Sequence, residues 1–292
     1  VPDSHPIDRA RLTERAALAP PVHRYAPSAA LETLVRHYWV PVWDLPSDRT
    51  VVEQVLQYPT CLIVVAGDYA RFYGVARGLS TVTLSGRSWA VGVMLQPGAG
   101  TAVSRGEVSG LVDTHVDLTE FAHLAPLVGQ VRELMGLDPA DPGQHAQAIG
   151  AVEDCLGSGP PLSEEGELLN HVVEVVESDS ALLTVRDLAG RVGVEERTLQ
   201  RLTERHLGLT PKWLIQRRRL HEAVAHLKHG TQTLAGLAAD LGYTDQAHFT
   251  RDFGRVTGRT PGEFARTLGR DASPASPASP ASKVRSDGRS RP

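Results

Sequence analysis

The chain is poor in sulfur and has no long apolar run. Its 292 residues include two cysteines and two methionines. Two thiols far apart in sequence, Cys61 and Cys155, give no disulfide framework and fall short of the four thiolates of a structural zinc site. Cys61, at the head of an apolar stretch, reads as a small buried hydrophobe. No segment approaches the ~20 consecutive apolar residues of a membrane span, and no signal-peptide pattern opens the chain, so a cytoplasmic protein without membrane partners is expected. His23, His37, His115 and His123 lie scattered rather than at ligand spacing, so neither a metal nor another cofactor is expected. No spacing of acids, bases and nucleophiles suggests catalysis, and the expectation is a protein that is not an enzyme. General positive charge is missing too: 30 basic against 34 acidic residues leave a net charge of −4.

That average conceals a division. From Thr184 to Arg270 there are 15 lysines and arginines against nine acidic residues, a net of +6 that leaves −10 on the remainder. The basic third carries a duplicated pattern. Its first copy runs Leu188-Ala189-Gly190-Arg191-Val192-Gly193-Val194, then a polar stretch, then Leu199-Gln200-Arg201-Leu202; the second runs Leu237-Ala238-Ala239-Asp240-Leu241-Gly242-Tyr243, then Thr244 to His248, then Phe249-Thr250-Arg251-Asp252-Phe253. In each, a small alanine allows two helices to approach and a glycine four residues later suits the tight turn between them, the pattern of a helix-turn-helix.

The second helix of such a unit enters the major groove of DNA. In the first copy Arg197, Gln200 and Arg201 share one face while Leu199 and Leu202 point elsewhere. In the second, Gln246, Thr250 and Arg251 share a face, and Phe249 and Phe253, four residues apart, form the buried stripe. Arginine pairs bidentately with guanine and glutamine with adenine, the chemistry that base reading requires. Asp245 and Glu196 stand at or near the helix starts, placed to cap free N–H groups or favour the dipole. Arg217, Arg218 and Arg219 are the expected phosphate contacts, although three consecutive helical residues point in three directions.

Residues from about 167 to 268 resemble the DNA-binding domain of the AraC/XylS family of transcription regulators. Besides the duplication, the stretch from Pro211 to Leu227 matches the long helix by which that family joins its two units, and Gly258-Arg259-Thr260-Pro261-Gly262-Glu263-Phe264 matches its closing signature. The resemblance implies base reading by Arg197, Gln200 and Arg201 in the first unit and by Gln246, His248, Thr250 and Arg251 in the second. Many relatives have an aromatic or small residue where Arg197 stands, so a base preference there does not carry over. It also implies double-stranded DNA as partner, with RNA polymerase, a small-molecule effector and a second copy of the chain as further candidates.

The N-terminal half reads as β. Val35 to Val40 and Leu79 to Leu84 alternate, Cys61 to Ala66 is a buried strand, and Gly and Pro punctuate short segments between them. The fold class expected is therefore α+β in two domains: an antiparallel β barrel or sandwich with flanking helices, then an all-α tandem helix-turn-helix. The expected bounds are 1–156 for a sensing or dimerisation domain, 157–163 for a Gly- and Pro-rich, semi-flexible linker, 164–270 for the DNA-binding domain, and 271–292 for a disordered Ser-Pro-Ala and basic tail. In many members of the resembled family the N-terminal half is a cupin-like barrel that binds an effector, and Val91 to Ala99 is similar to a motif of a poorly characterised sensor-type domain. Trp39, Trp43, Tyr58, Tyr69, Phe72, Tyr73 and Trp89 are the aromatic residues that would line such a pocket, and none is assigned as an effector contact. The function expected is sequence-specific transcription regulation by two recognition helices in successive major grooves. The alternative is a ligand- or protein-binding module acting mainly through a partner such as RNA polymerase.

Overall fold

The computed structural model describes Leu12, residues 20–230 and residues 232–271. The Ser-Pro-Ala and basic tail, read from the sequence as disordered, lies outside the described residues apart from Asp271. Eight strands come first: β1 (Val22–Tyr25), β2 (Val35–Asp44), β3 (Thr50–Leu56), β4 (Leu62–Ala66), β5 (Ala70–Tyr73), β6 (Leu79–Ser85), β7 (Arg87–Leu95) and β8 (His115–Asp117). They form two antiparallel sheets, one of six strands in the order β1-β2-β7-β4-β5-β8 and one of two, β3-β6. No pairing of β1 with β8 closes the larger sheet among the described residues, so its edges stay open where a barrel would join them.

Alternation assigns the two faces of the larger sheet. Ile63, Val65, Phe72, Val91, Val93 and Leu95 point to one face and are buried. There they join the main N-terminal core with the helices α2 (Ala125–Leu137) and α3 (Pro142–Gly157), which contribute Leu127, Val131, Met135, Ala148 and Val152; α1 (Gly100–Ser104) lies at its margin. The intervening residues, Trp39, Leu62, Val64, Tyr73, Ala90 and Met94, face the small sheet and form satellite clusters. The period-2 expectation is met, with apolar residues on both faces.

The C-terminal part is helical: α4 (Glu164–Ser178), α5 (Val185–Val192), α6 (Glu196–Leu207), α7 (Pro211–His229), α8 (Leu234–Asp240), α9 (Gln246–Thr257) and α10 (Pro261–Asp271). It is built on two cores. Leu169, Val172 and Val176 of α4 pack with Leu188, Leu199, Leu202, Leu214 and Ile215 around α5 and α6. Leu220, Val224, Leu237, Phe249, Phe253 and Phe264 form the other, around α8 and α9. The central helix α7 supplies both.

The segment between α3 and α4 leads into a braced joint where the sequence suggested a semi-flexible one. Asn170 on α4 accepts from the Gly98 backbone N–H at 2.8 Å and donates to the Thr33 carbonyl at 3.2 Å, while Glu177 receives the Arg36 guanidinium through both oxygens. Val75, from the N-terminal part, is buried in the core around α5 and α6.

Candidate nucleic-acid interface

Local chemistry sets each helix of the duplicated units. Thr184 caps α5 by accepting from the Asp187 N–H at 3.1 Å, and Thr233 caps α8 by accepting from Gly236 at 3.2 Å. The turns that follow use the two glycines singled out by the spacing, Gly193 at φ 78° and Gly242 at φ 71°, both in the left-handed region that a Cβ disfavours. Asp245 then caps α9, accepting from the His248 N–H at 2.7 Å. In the first unit the cap position of α6 is Glu195, whose side chain makes no capping bond. Glu196, one residue on, sits in the first turn and pairs with Arg186 at 3.6 Å.

The buried and exposed faces of α6 and α9 divide as their spacing predicts. Leu199, Leu202 and Leu207 of α6, and Phe249 and Phe253 of α9, are buried. Arg197, Gln200 and Arg201 are exposed on α6; Gln246, His248 and Arg251 are exposed on α9, and Thr250 is half-buried. Charge pairing separates the arginines further. Arg186, Arg191, Arg205 and Arg255 each pair with a carboxylate, whereas Arg197, Arg201 and Arg251 make no ion pair among the described residues. Gln200 donates to Glu204 at 2.9 Å one turn on, and the His248 ring meets Tyr243 edge to face at 5.2 Å.

The three consecutive arginines on α7, expected to contact phosphate, are buried or half-buried, and each meets partners within the molecule. Arg217 is 2% exposed, lies over the Trp213 ring at 4.5 Å, and donates to the carbonyls of Ala76 at 3.3 Å and Arg77 at 2.5 Å in the N-terminal part. Burial lowers its pKa to about 10. Arg218 is 6% exposed and donates to Glu222 at 2.8 Å and to the Leu182 carbonyl at 2.9 Å. Arg219, half-buried, lies over the Tyr243 ring at 3.7 Å, and burial lowers its pKa as well. Successive residues of a helix diverge by about 100°. The run thus ties α7 to three neighbours: the N-terminal part, the loop before α5, and the second unit. Lys212, at the start of the same helix, is exposed and is the cation that the sequence reading passed over.

Two helix-turn-helix units on one shared helix, each presenting a polar face on its second helix, define the class of the C-terminal part. Residues 188–267 match the family described as helix-turn-helix domain, and residues 23–117 match a domain of unknown function (DUF6597). The chain is 35% identical over 106 residues to the HTH-type transcriptional activator RhaS of Escherichia fergusonii, a stretch that is 36% of this chain and 37% of that protein. It is 38% identical over 77 residues to RhaS of Enterobacter sp. (strain 638), 26% of this chain and 27% of the relative. The chain therefore spans little more than a third of the length of the curated relatives it matches. Among solved structures, ToxT from Vibrio cholerae O395 aligns over 79% of this chain and 98% of its own at 13% identity and a TM-score of 0.41. The C-terminal domain of AraT from Geobacillus stearothermophilus aligns over 36% of this chain and 88% of its own at 23% identity and a TM-score of 0.33. The chain thus carries a C-terminal helix-turn-helix domain joined to an N-terminal DUF6597 domain.

Proposed function

We propose that the protein is a sequence-specific, non-catalytic transcription regulator that inserts α6 and α9 into successive major grooves of double-stranded DNA and responds to a small-molecule effector through its N-terminal domain. In this reading 1–156 is the sensing domain and 164–270 the DNA-binding domain. The observation that carries it is the set of arginines on the recognition faces, Arg197, Arg201 and Arg251, which are exposed and make no ion pair among the described residues, while Arg191, Arg205 and Arg255 of the same units each pair with a carboxylate. An exposed arginine with no intramolecular ion pair to break is free to exchange its hydration for a bidentate partner on a base edge.

The test is selection of bound fragments from random DNA by the full chain, beside Arg201→Ala and Arg251→Ala at matched salt. Each substitution is expected to cost about 1–3 kcal/mol at the selected site and to relax one base position. Equal loss on selected and random DNA would sink the base-reading assignment. Arg218→Ala separates the scaffold from the interface: with the guanidinium buried on Glu222 and Leu182, its effect is expected in thermal stability and not in the salt dependence of DNA binding. A reduced salt slope with unchanged stability would return Arg218 to the phosphate-contacting group.

A further inference from the structure

The space between the two sheets has no assigned role. It is a cavity of ≈ 670 Å³, within the range of sites that enclose drug-sized ligands. Its floor is the face of the six-stranded sheet turned away from α2 and α3, and its roof is the β3-β6 ribbon. Of the seven aromatic residues named from the sequence, Trp39, Trp43, Tyr58, Tyr69 and Tyr73 line this space, whereas Phe72 and Trp89 belong to the opposite core. Alternation accounts for the split, since Phe72 is one residue from Tyr73 on the same strand.

The floor is shaped for a flat molecule. Trp39 and Gly92 are register partners on β2 and β7, and a Cβ on Gly92 would lie 2.1 Å from the indole Cε2. Only a residue without a side chain lets that indole lie down on the sheet. The indole is half-buried among Val64, Ala90 and Tyr73, so it is held in place with part of its surface facing the cavity. The opposite wall carries Glu53 and Val55 of β3 and, as the register partner of Glu53, Val82 of β6. Burying an exposed apolar face of this kind is favourable, and a stacked ring gains further from its geometry.

We infer that the cavity between the two sheets is a binding site for a flat, mainly apolar aromatic molecule of fused rings, stacked on Trp39. The inference rests on the effector-responsive reading above and gives it a place and a ligand class. The site is also positioned to be sensed. Gly74, Ala76 and Gly78 line its rim, and the Ala76 and Arg77 carbonyls hold Arg217 on α7, the helix shared by both DNA-binding units.

Coumarin and octahydrocoumarin provide the test, being uncharged lactones of one skeleton, flat in the first and puckered in the second. Binding to the full chain is measured by calorimetry and saturation-transfer NMR without DNA, beside Trp39→Leu and Val82→Trp, with thermal unfolding as the check of fold. The expected result is one saturable coumarin site, about tenfold tighter than octahydrocoumarin, weakened about tenfold in Trp39→Leu and blocked in Val82→Trp, which fills the space from its roof. If Val82→Trp does not fold, Trp39→Leu and the ratio between the two lactones decide. No saturable coumarin binding, equal binding of the lactones, or coumarin binding unchanged by Trp39→Leu overturns the site. Failure here with sequence-specific DNA binding intact removes this site alone, and coumarin binding without any DNA specificity removes the regulator reading while the site stands.

Discussion

The two helix-turn-helix units share a plan and differ in what holds them. The first leans on its surroundings: α6 packs beside the turn Ser109–Leu111, Arg205 and His206 of α6 both reach Glu165 on α4, and Val75 enters its core. The second is filled by aromatic rings, with Phe253 between Phe249 at 5.8 Å and Phe264 at 5.8 Å and Tyr243 donating to Asp252 at 3.0 Å, and it too takes a residue of the N-terminal part, Leu56 of β3, into its core. The same backbone pattern is filled once mainly by aliphatic side chains and once by large rings, with both cores reaching into the N-terminal part, so equal sequence signals conceal different packing.

The sharpest way to break that comparison is Phe253→Ala. Removing a fully buried ring is expected to cost about 3–5 kcal/mol, and hydrogen exchange should show α8 and α9 losing protection while α5 and α6 keep theirs. Uniform loss in all four helices would mean that the units unfold together and that the difference in support has no energetic consequence. A smaller effect is expected from the turns. Gly193→Ala and Gly242→Ala each place a Cβ in the left-handed region at about 1–2 kcal/mol. Gly242→Ala should be worse by a few tenths, because its Cβ would come 2.7 Å from the ends of Leu183, a side chain free enough to yield, while nothing lies within 4 Å of a Cβ at Gly193. Denaturant midpoints of the two variants check the order. The smallest effects lie at the caps. Asp245→Ala is expected to cost about 1 kcal/mol, and Glu195→Ser, which supplies the bond the first unit lacks, to add up to about 1 kcal/mol of stability. Opposite signs in thermal unfolding would sharpen the comparison, and equal signs would contradict the cap assignment.

Much of the candidate interface was legible beforehand because it depends on local periodicity. An apolar residue every three or four positions fixes which side of α6 and α9 is buried, and so places Arg201 and Arg251 outward whatever the fold around them. Gly193 and Gly242 were legible for a similar reason, since a left-handed turn between two helices narrows the choice of residue at one position. The surroundings of the arginine run were not legible. Charge and helical position made phosphate contact the natural expectation, and nothing in the residues themselves announced that the Ala76 and Arg77 carbonyls, more than a hundred residues earlier, would be at hand for Arg217.

The N-terminal half divides in the same way. Strands, turns and the antiparallel character followed from alternation and from the placing of Gly and Pro. Pairing order did not: that β7 lies between β2 and β4, and that β3 leaves the larger sheet to pair with β6, depends on contacts distant in sequence. With both faces of the larger sheet apolar, no pattern of alternation distinguishes the face that packs on α2 and α3 from the face that borders a cavity.

By itself, then, the sequence determined the helical units, their turns, the residues on their outward faces and the β character of the other half, because each follows from the geometry of a few neighbouring residues. Only the tertiary structure decided that the three arginines serve as ties, that the joint between the halves is braced, and that Trp39 lies down over Gly92 in the cavity between the sheets. The physical reason is range. Backbone periodicity acts over a turn of helix or a pair of strand residues, whereas the partner of a buried charge and the filling of a cavity are settled by side chains brought together from distant parts of the chain.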